Sequence, residues 1–226
     1  MRPFVSVCTP TYNRRKFIPK LIEYIQNQTY PQERIEWLIY DDGDECIADL
    51  VETIKNVRYY YSKERRTLGF KRNYLNKRAK GDIIVCMDDD DIYSTERVEH
   101  AVETLLASPQ VKCVGCSEIY VMFKKREDEI WKFGPYDSNH ATAATMAYRK
   151  ELVNKTAFDE RVKSCEEKSF LKGYTIPMVQ LDPFRTVLAV AHDTNTVDKT
   201  PMIKEEHKKK TKALRTNLKT NDFIDV

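Results

Sequence analysis

Gly81-Asp82-Ile83-Ile84-Val85-Cys86-Met87-Asp88-Asp89-Asp90-Asp91-Ile92-Tyr93 decides how this chain is read. An apolar run of strand length ends abruptly in four consecutive aspartates. Such a run fits a strand buried on both faces, and open α/β sheets bind ligands outside the carboxyl ends of such strands. Two unit charges about 4 Å apart repel by roughly 4 kcal/mol at an effective dielectric near 20. Four carboxylates in that place call for a cation. Mg²⁺ and ions like it take one or two carboxylates together with substrate phosphates, so the run predicts a metal–diphosphate site.

Outward from this stretch, the first half of the chain alternates strand and helix patterns. Phe4–Thr9 reads as a first strand broken by Pro10, and Phe17, Leu21, Tyr24, Ile25 and Gln28 give a helical stripe. Ile35–Tyr40 is a second strand, ending at Asp41-Asp42-Gly43-Asp44. Ile47, Leu50, Val51 and Ile54 mark a second helix, and Val57–Tyr61 a third strand. A basic linker and helix from Lys63 to Lys80 precede the acidic strand, after which Ser94 caps a helix with Val98, Ala101, Val102, Leu105 and Leu106 inward. Four such alternations predict right-handed β-α-β units and a mainly parallel sheet. Beyond Pro109 the pattern changes. Val111–Gly115, Ile119–Phe123 and Ile130–Phe133 suggest an antiparallel addition, Cys165–Leu171 a helix, and Ile176–Leu181 and Thr186–Ala191 two further strands.

Composition narrows the classes. At 226 residues, 41% hydrophobic and 32% charged, the chain suits one α/β domain with a wet surface. No apolar stretch approaches the roughly 20 residues of a membrane span. The N-terminus runs straight into a strand pattern, which predicts no signal peptide and a cytoplasmic location. From Lys204 onward seven Lys/Arg stand against four acids, which accounts for the whole net charge of +3. The body therefore has no global field for nucleic acid. Six cysteines lack the dense spacing of a secreted disulfide framework, and Cys113-Val114-Gly115-Cys116 has no second pair to complete a zinc set. They read as core residues.

Three chemistries use an acidic run of this kind. A calcium loop beginning at Asp88 fails, because Ile92 and Tyr93 stand where an oxygen ligand and a glycine are needed. A phosphohydrolase with Asp88 as nucleophile is a rival. The third is a nucleotide-sugar transferase.

Taken together, Ser6-Val7-Cys8-Thr9-Pro10-Thr11-Tyr12-Asn13-Arg14, Ile39-Tyr40-Asp41-Asp42-Gly43, Lys71-Arg72-Asn73 and the D-x-D position at Met87–Asp91 resemble the GT-A glycosyltransferases of family 2. The match runs in order over about the first 110 residues, with a looser continuation to about residue 196. The Lys- and Tyr-rich composition is similar to that of glycosyltransferases of large DNA viruses. The resemblance implies a Rossmann-like, mostly parallel sheet flanked by helices, with a small antiparallel addition in the second half. Residues 1–200 would form one domain, its nucleotide-binding half about 1–110 and its acceptor half about 111–200. Residues 201–226 would be a basic helix or tail, beyond which a further domain could follow.

The resemblance also implies roles. Thr9 and Pro10 by backbone, Tyr12 by stacking, and Arg14 would hold the nucleotide-sugar. Asp42, or Asp41, would read a uracil or thymine imide. Asp89 would bind ribose, with Asp88 shared, and Asp90 would ligate Mn²⁺ or Mg²⁺ with His192 in His192-Asp193-Thr194-Asn195-Thr196 nearby. Lys71 and Arg72, then Arg65 and Arg66, would neutralise the leaving diphosphate. Glu167, supported by Glu166, would be the base, with Asp159 and Glu160 in reserve. Trp131, Phe133, Tyr136, His140 and Thr142 would shape the acceptor pocket. The implied reaction moves a sugar from a UDP- or dTDP-linked donor to a hydroxyl of a glycan or glycoprotein, with inversion. A nucleotide-sugar-binding module without turnover is the non-enzymatic alternative.

Overall fold

A computed structural model describes residues 2–195 and 198–224, so Thr196 of the late polar loop lies outside the described residues. The apolar runs form strands β1 (Val5–Thr11), β2 (Ile35–Asp41) and β4 (Ile83–Cys86), buried along their whole length, with β3 (Val57–Tyr61) half-buried at an edge. Helices α1 (Ile18–Gln26), α2 (Ala48–Val51), α3 (Leu68–Arg78) and α4 (Arg97–Ala107) lie between and after them. The chain continues through β5 (Ile92–Tyr93), β6 (Cys113–Gly115), β7 (Ile119–Phe123), β8 (Glu129–Phe133) and β9 (Ala147–Arg149). It ends with α5 (Glu167–Phe170), β10 (Met178–Gln180), β11 (Val187–Ala191), α6 (Glu205–Thr211) and β12 (Leu214–Arg215).

Among the described residues these strands form two sheets. The larger has the order β10-β6-β9-β4-β1-β2-β3, with β4, β1, β2 and β3 parallel and β9 antiparallel between β4 and β6. From β1 the sheet grows toward β3, then the chain returns past β1 to build β4 on the other side. The crevice outside the carboxyl ends of β1 and β4 is therefore the switch point where α/β sheets bind ligands. The smaller sheet has the order β12-β8-β7-β11-β5.

The acidic run is the crossover between the two sheets. It leaves β4 and enters β5, which pairs antiparallel with β11 (Leu188 with Ile92, Val187 with Tyr93). Both ends of Asp88–Asp91 are thus fixed by backbone pairing, and β11 delivers His192 beside them.

The structure departs from the sequence expectations in five places. Pro10 does not break β1, because the β1–β4 ladder ends at Cys8 with Cys86, so the missing N–H interrupts no bond there. The second helix is a single turn, although Ile47 and Val51 are buried and Leu50 and Ile54 pack against the same core as expected. Ser94 does not cap α4. Its hydroxyl accepts from Glu96 N at 3.2 Å, the helix starts at Arg97, and Leu106 is 51% exposed. Trp131 and Phe133 are buried in the smaller sheet with Phe123 and Ile203, so they do not line a pocket. The basic tail is built into the fold, since β12 pairs with β8 and Phe223 packs on Tyr120 and Phe184.

Candidate active site

On one side of the crossover, Asp90 meets the loop after β11. Its Oδ2 lies 3.0 Å from His192 Nε2, accepts from Asn195 Nδ2 at 3.1 Å, and is 3.5 Å from Arg14 Nη2. His192 Nδ1 faces the Thr194 N–H at 3.2 Å. A backbone N–H can only donate, so Nδ1 accepts, and the ring proton sits on Nε2 and points at Asp90. Burial pushes the Asp90 carboxyl up, but the His192 hydrogen bond and the charges of Lys199 and Arg14 outweigh it and hold it below its ordinary value. Asp89 is opposite in behaviour, pushed well up by burial and by the charge of Asp90. Asp91 braces the turn: its Oδ1 accepts Val190 N–H at 2.9 Å, and burial raises it to about 7.

Whether this side suits a divalent ion can be tested on the donor set. Neighbouring ligands about 2.1 Å from an octahedral ion stand about 3.0 Å apart. Asp90 Oδ2 and His192 Nε2, freed of its proton, have that 3.0 Å spacing. Asp89 Oδ2, buried beside them, has no hydrogen-bond partner among the described residues. No three such side chains converge into a full ligand set among the described residues, so donor phosphates and water would complete the coordination, as is usual for Mg²⁺. The residues fit.

On the other side, α3 buries Lys71, Arg72, Asn73 and Asn76, where a surface helix normally buries an apolar stripe. Arg72 Nη2 pairs with Asp88 at 3.0 Å, and its Nε donates to Glu166 Oε1 at 3.0 Å. Glu166 thus takes the available cation. Glu167, beside it at the start of α5, is raised to about 7 by burial first and by the Glu166 charge second.

Thr9 is a strut, its hydroxyl donating to Met87 O at 2.8 Å and accepting from Trp37 Nε1 at 2.9 Å. Pro10 is buried. Asp42 holds Lys71 Nζ and accepts Arg66 N–H at 2.6 Å. Asp41 accepts from Gly43 N and Tyr59 Oη, which ties down its own turn. The Tyr12 ring sits under the exposed Arg65 guanidinium at 4.2 Å, with Lys71 Nζ at 5.7 Å. Asp159 pairs with exposed Arg161 and Glu160 holds Asn73, so neither stands in reserve for Glu167. His140 stacks between Tyr136 and Tyr174 at 4.8 and 4.6 Å, while Tyr136 Oη donates to Thr211 O.

Asn195, Lys199 and Tyr93 escaped the sequence reading. Tyr93 Oη accepts Asp88 N–H at 2.5 Å and fixes the first aspartate's backbone. Asn195 carried a usable signal, a short polar residue just after a strand at the carboxyl end of a sheet. Tyr93 and Lys199 carried none: neither the Tyr93 hydroxyl on the Asp88 backbone nor the Lys199 charge near Asp90 leaves a mark on residue type or spacing.

Over 193 residues and 75% of the chain, 28% of positions are identical to the poly(ribitol-phosphate) β-N-acetylglucosaminyltransferase TarS of Staphylococcus aureus, of which 32% is covered. The teichuronic acid biosynthesis glycosyltransferase TuaG of Bacillus subtilis, described as putative, is 29% identical over 110 residues, covering 46% of this chain and 43% of its own. The chain spans less than half the length of these two curated relatives. The TarS structure with UDP-GlcNAc superposes with a TM-score of 0.69 at 21% identity, over 85% of this chain and 60% of that one. The mannosyltransferase PcManGT of Pyrobaculum calidifontis, in complex with GDP-Man and Mn²⁺, gives 0.68 at 19% identity, over 87% and 59%. These likenesses establish the GT-A fold. The family described as "Glycosyl transferase family 2" matches residues 6–159, more than half of the chain and the part that holds the acidic crossover; the chain belongs to glycosyl transferase family 2.

Proposed function

We propose that this chain is a metal-dependent inverting glycosyltransferase that moves a sugar from a nucleotide-diphosphate donor, UDP- or dTDP-linked, to a hydroxyl of a glycan or glycoprotein. The observation that carries the reading is the division of labour across Asp88–Asp91, with a tied-down N,O donor pair on one side and a carboxyl held near 7 on the other. A bound Mn²⁺ or Mg²⁺ would offset the charge that develops on the leaving diphosphate. Asp90 and His192 would hold it.

The protein's own groups do the rest. Asp89 faces the donor ribose, and Tyr12 offers a ring to the base once the Arg65 guanidinium moves aside. Asp42 and Asp41 stand at the base end, with Thr9 and Pro10 in the strand floor beneath. Arg14, Lys71 and Arg72 set fixed positive charge around the diphosphate. The acceptor hydroxyl oxygen attacks the anomeric carbon from the face opposite the diphosphate. As that C–O bond forms, the bond to the diphosphate oxygen breaks, and the hydroxyl proton passes to Glu167. A base with its midpoint near the working pH is suited to that transfer. TarS with UDP-GlcNAc and PcManGT with GDP-Man and Mn²⁺ are the donor chemistries seen on this fold.

The test is turnover of a donor panel that includes UDP-GlcNAc and GDP-Man, with and without Mn²⁺, in the native chain and in Glu167→Gln. The reading predicts metal-dependent release of nucleoside diphosphate that falls by roughly 10²- to 10⁴-fold in Glu167→Gln, with donor affinity unchanged. Phosphate release that survives the substitution and needs no metal would contradict it.

A further inference from the structure

Asn73 closes the Lys71-Arg72-Asn73 motif, and neither donor binding nor proton transfer uses it. It is 8% exposed in the middle of α3, where asparagine is a mediocre helix former. Among the described residues all its side-chain hydrogen bonds go to one segment. Nδ2 donates to Phe158 O at 2.9 Å and to Glu160 Oε1 at 2.8 Å, and Oδ1 accepts Phe158 N–H at 3.0 Å.

Other residues of the α3 region grip the same segment. Thr67 Oγ1 donates to Glu160 O at 2.8 Å. A Cβ on Gly69 would stand 2.1 Å from Asp159 O, so only glycine permits this approach. At the far end Arg72 Nε holds Glu166 Oε1 at 3.0 Å. Between these pins Arg161 bonds, among the described residues, only within the segment, to Asp159, and Lys163 and Cys165 are exposed. Phe158 also stacks on Phe170 of α5 at 4.4 Å. The segment that leads into Glu167 is therefore anchored at both ends by two consecutive residues of one helix.

We propose that Asn73 is a positioning residue: with Gly69 it clamps Phe158–Glu160 to α3 and so fixes where α5 presents Glu167 relative to Asp88. This rests on the reading of Glu167 as the base. A purely structural Asn73 would lower stability without moving Glu167.

The charged and titratable groups that act on Glu167 are Glu166, Arg72 and Asp88, with Tyr174 beside it. The test is a pH titration of the full chain carrying ¹³C-labelled glutamate, read at Glu167, in the native protein, Asn73→Ala, Asn73→Asp and Asn73→Asp with Glu160→Gln. In the double variant the carboxylate introduced at position 73 can accept from both Phe158 N–H and the side-chain amide introduced at position 160. The proposal expects the Glu167 midpoint to fall by at least one pH unit in Asn73→Ala, and to lie closer to the native value in the double variant than in Asn73→Asp. An unmoved midpoint in folded Asn73→Ala overturns it. Where that variant fails to fold, equal midpoints in Asn73→Asp and the double variant overturn it. The readout needs no turnover, so a chain inactive on every donor would sink the functional reading and leave this test intact.

Discussion

Asp90, half-buried, and Glu167, buried, are carboxyls on the two sides of the acidic crossover, and their surroundings drive them in opposite directions. Asp90 has His192, Arg14 and Lys199 around it and is held low. Glu167 has Glu166 as a neighbour, and the nearby cation, Arg72, is already committed to Glu166 and Asp88, so it rises to about 7. The contrast shows that burial alone does not set a carboxyl's protonation. What decides is which carboxylate wins the fixed cation. One acts as a permanent anion and the other as a group that can take up a proton.

The largest way to break the contrast is to remove the cation that sorts the carboxyls. Arg72→Met leaves Glu166 and Asp88 without their partner, and losing one side of a buried ion pair destabilises by about 3–5 kcal/mol. Melting should fall by roughly 10 °C for a domain of this size. An unchanged melting temperature would show that Arg72 is not what holds Glu166.

Next in size is the linkage at Glu167. Its folded value of about 7 lies above the ordinary 4.5. Below about 4.5 both folded and unfolded states carry the proton, and the group has no effect on stability. Between 4.5 and 7 the unfolded chain ionises first and stability declines, reaching a penalty of up to about 3 kcal/mol above 7. Glu167→Gln should therefore be more stable than the native chain at pH 8 and equal to it at pH 4, as urea unfolding at the two pH values would show. The same titration predicts an activity that rises through pH 7. Equal stability at pH 8 would mean that Glu167 ionises freely.

The smallest effect should come from Asp91, which serves Val190 N–H and not the crevice. Asp91→Asn keeps that acceptor and matches the protonated carboxyl, so near pH 4 it should change stability by less than about 1 kcal/mol, and it should leave metal-dependent donor binding at neutral pH intact. Loss of binding in Asp91→Asn would move the metal role one residue along.

Much of this arrangement is legible without the structure. Parallel strands buried on both faces are mostly apolar, which is why β1, β2 and β4 stand out and why the aspartates after β4 read as a site. Glu166 and Glu167 are reached through the family resemblance. What stays hidden depends on long-range pairing. His192 near Asp90 is reached through the family resemblance, but no local signal shows that β5 joins β11 or that β12 ties the basic tail to β8. The polar buried face of α3 looks basic and solvated in the sequence, because burial by ion pairs leaves no periodic mark. Pro10 misleads for a related reason: whether a proline ends a strand depends on whether its N–H side has a partner strand.

The central claim is that Asp90 and His192 form a metal-dependent donor site. Calorimetric titration of the native chain and Asp90→Ala with UDP, in the presence and absence of Mn²⁺, tests it most directly. The account predicts Mn²⁺-dependent UDP binding in the native chain that weakens by roughly 10²-fold or more in Asp90→Ala, about 2.7 kcal/mol. Equal binding by the two proteins in Mn²⁺, or native binding indifferent to the ion, would contradict it.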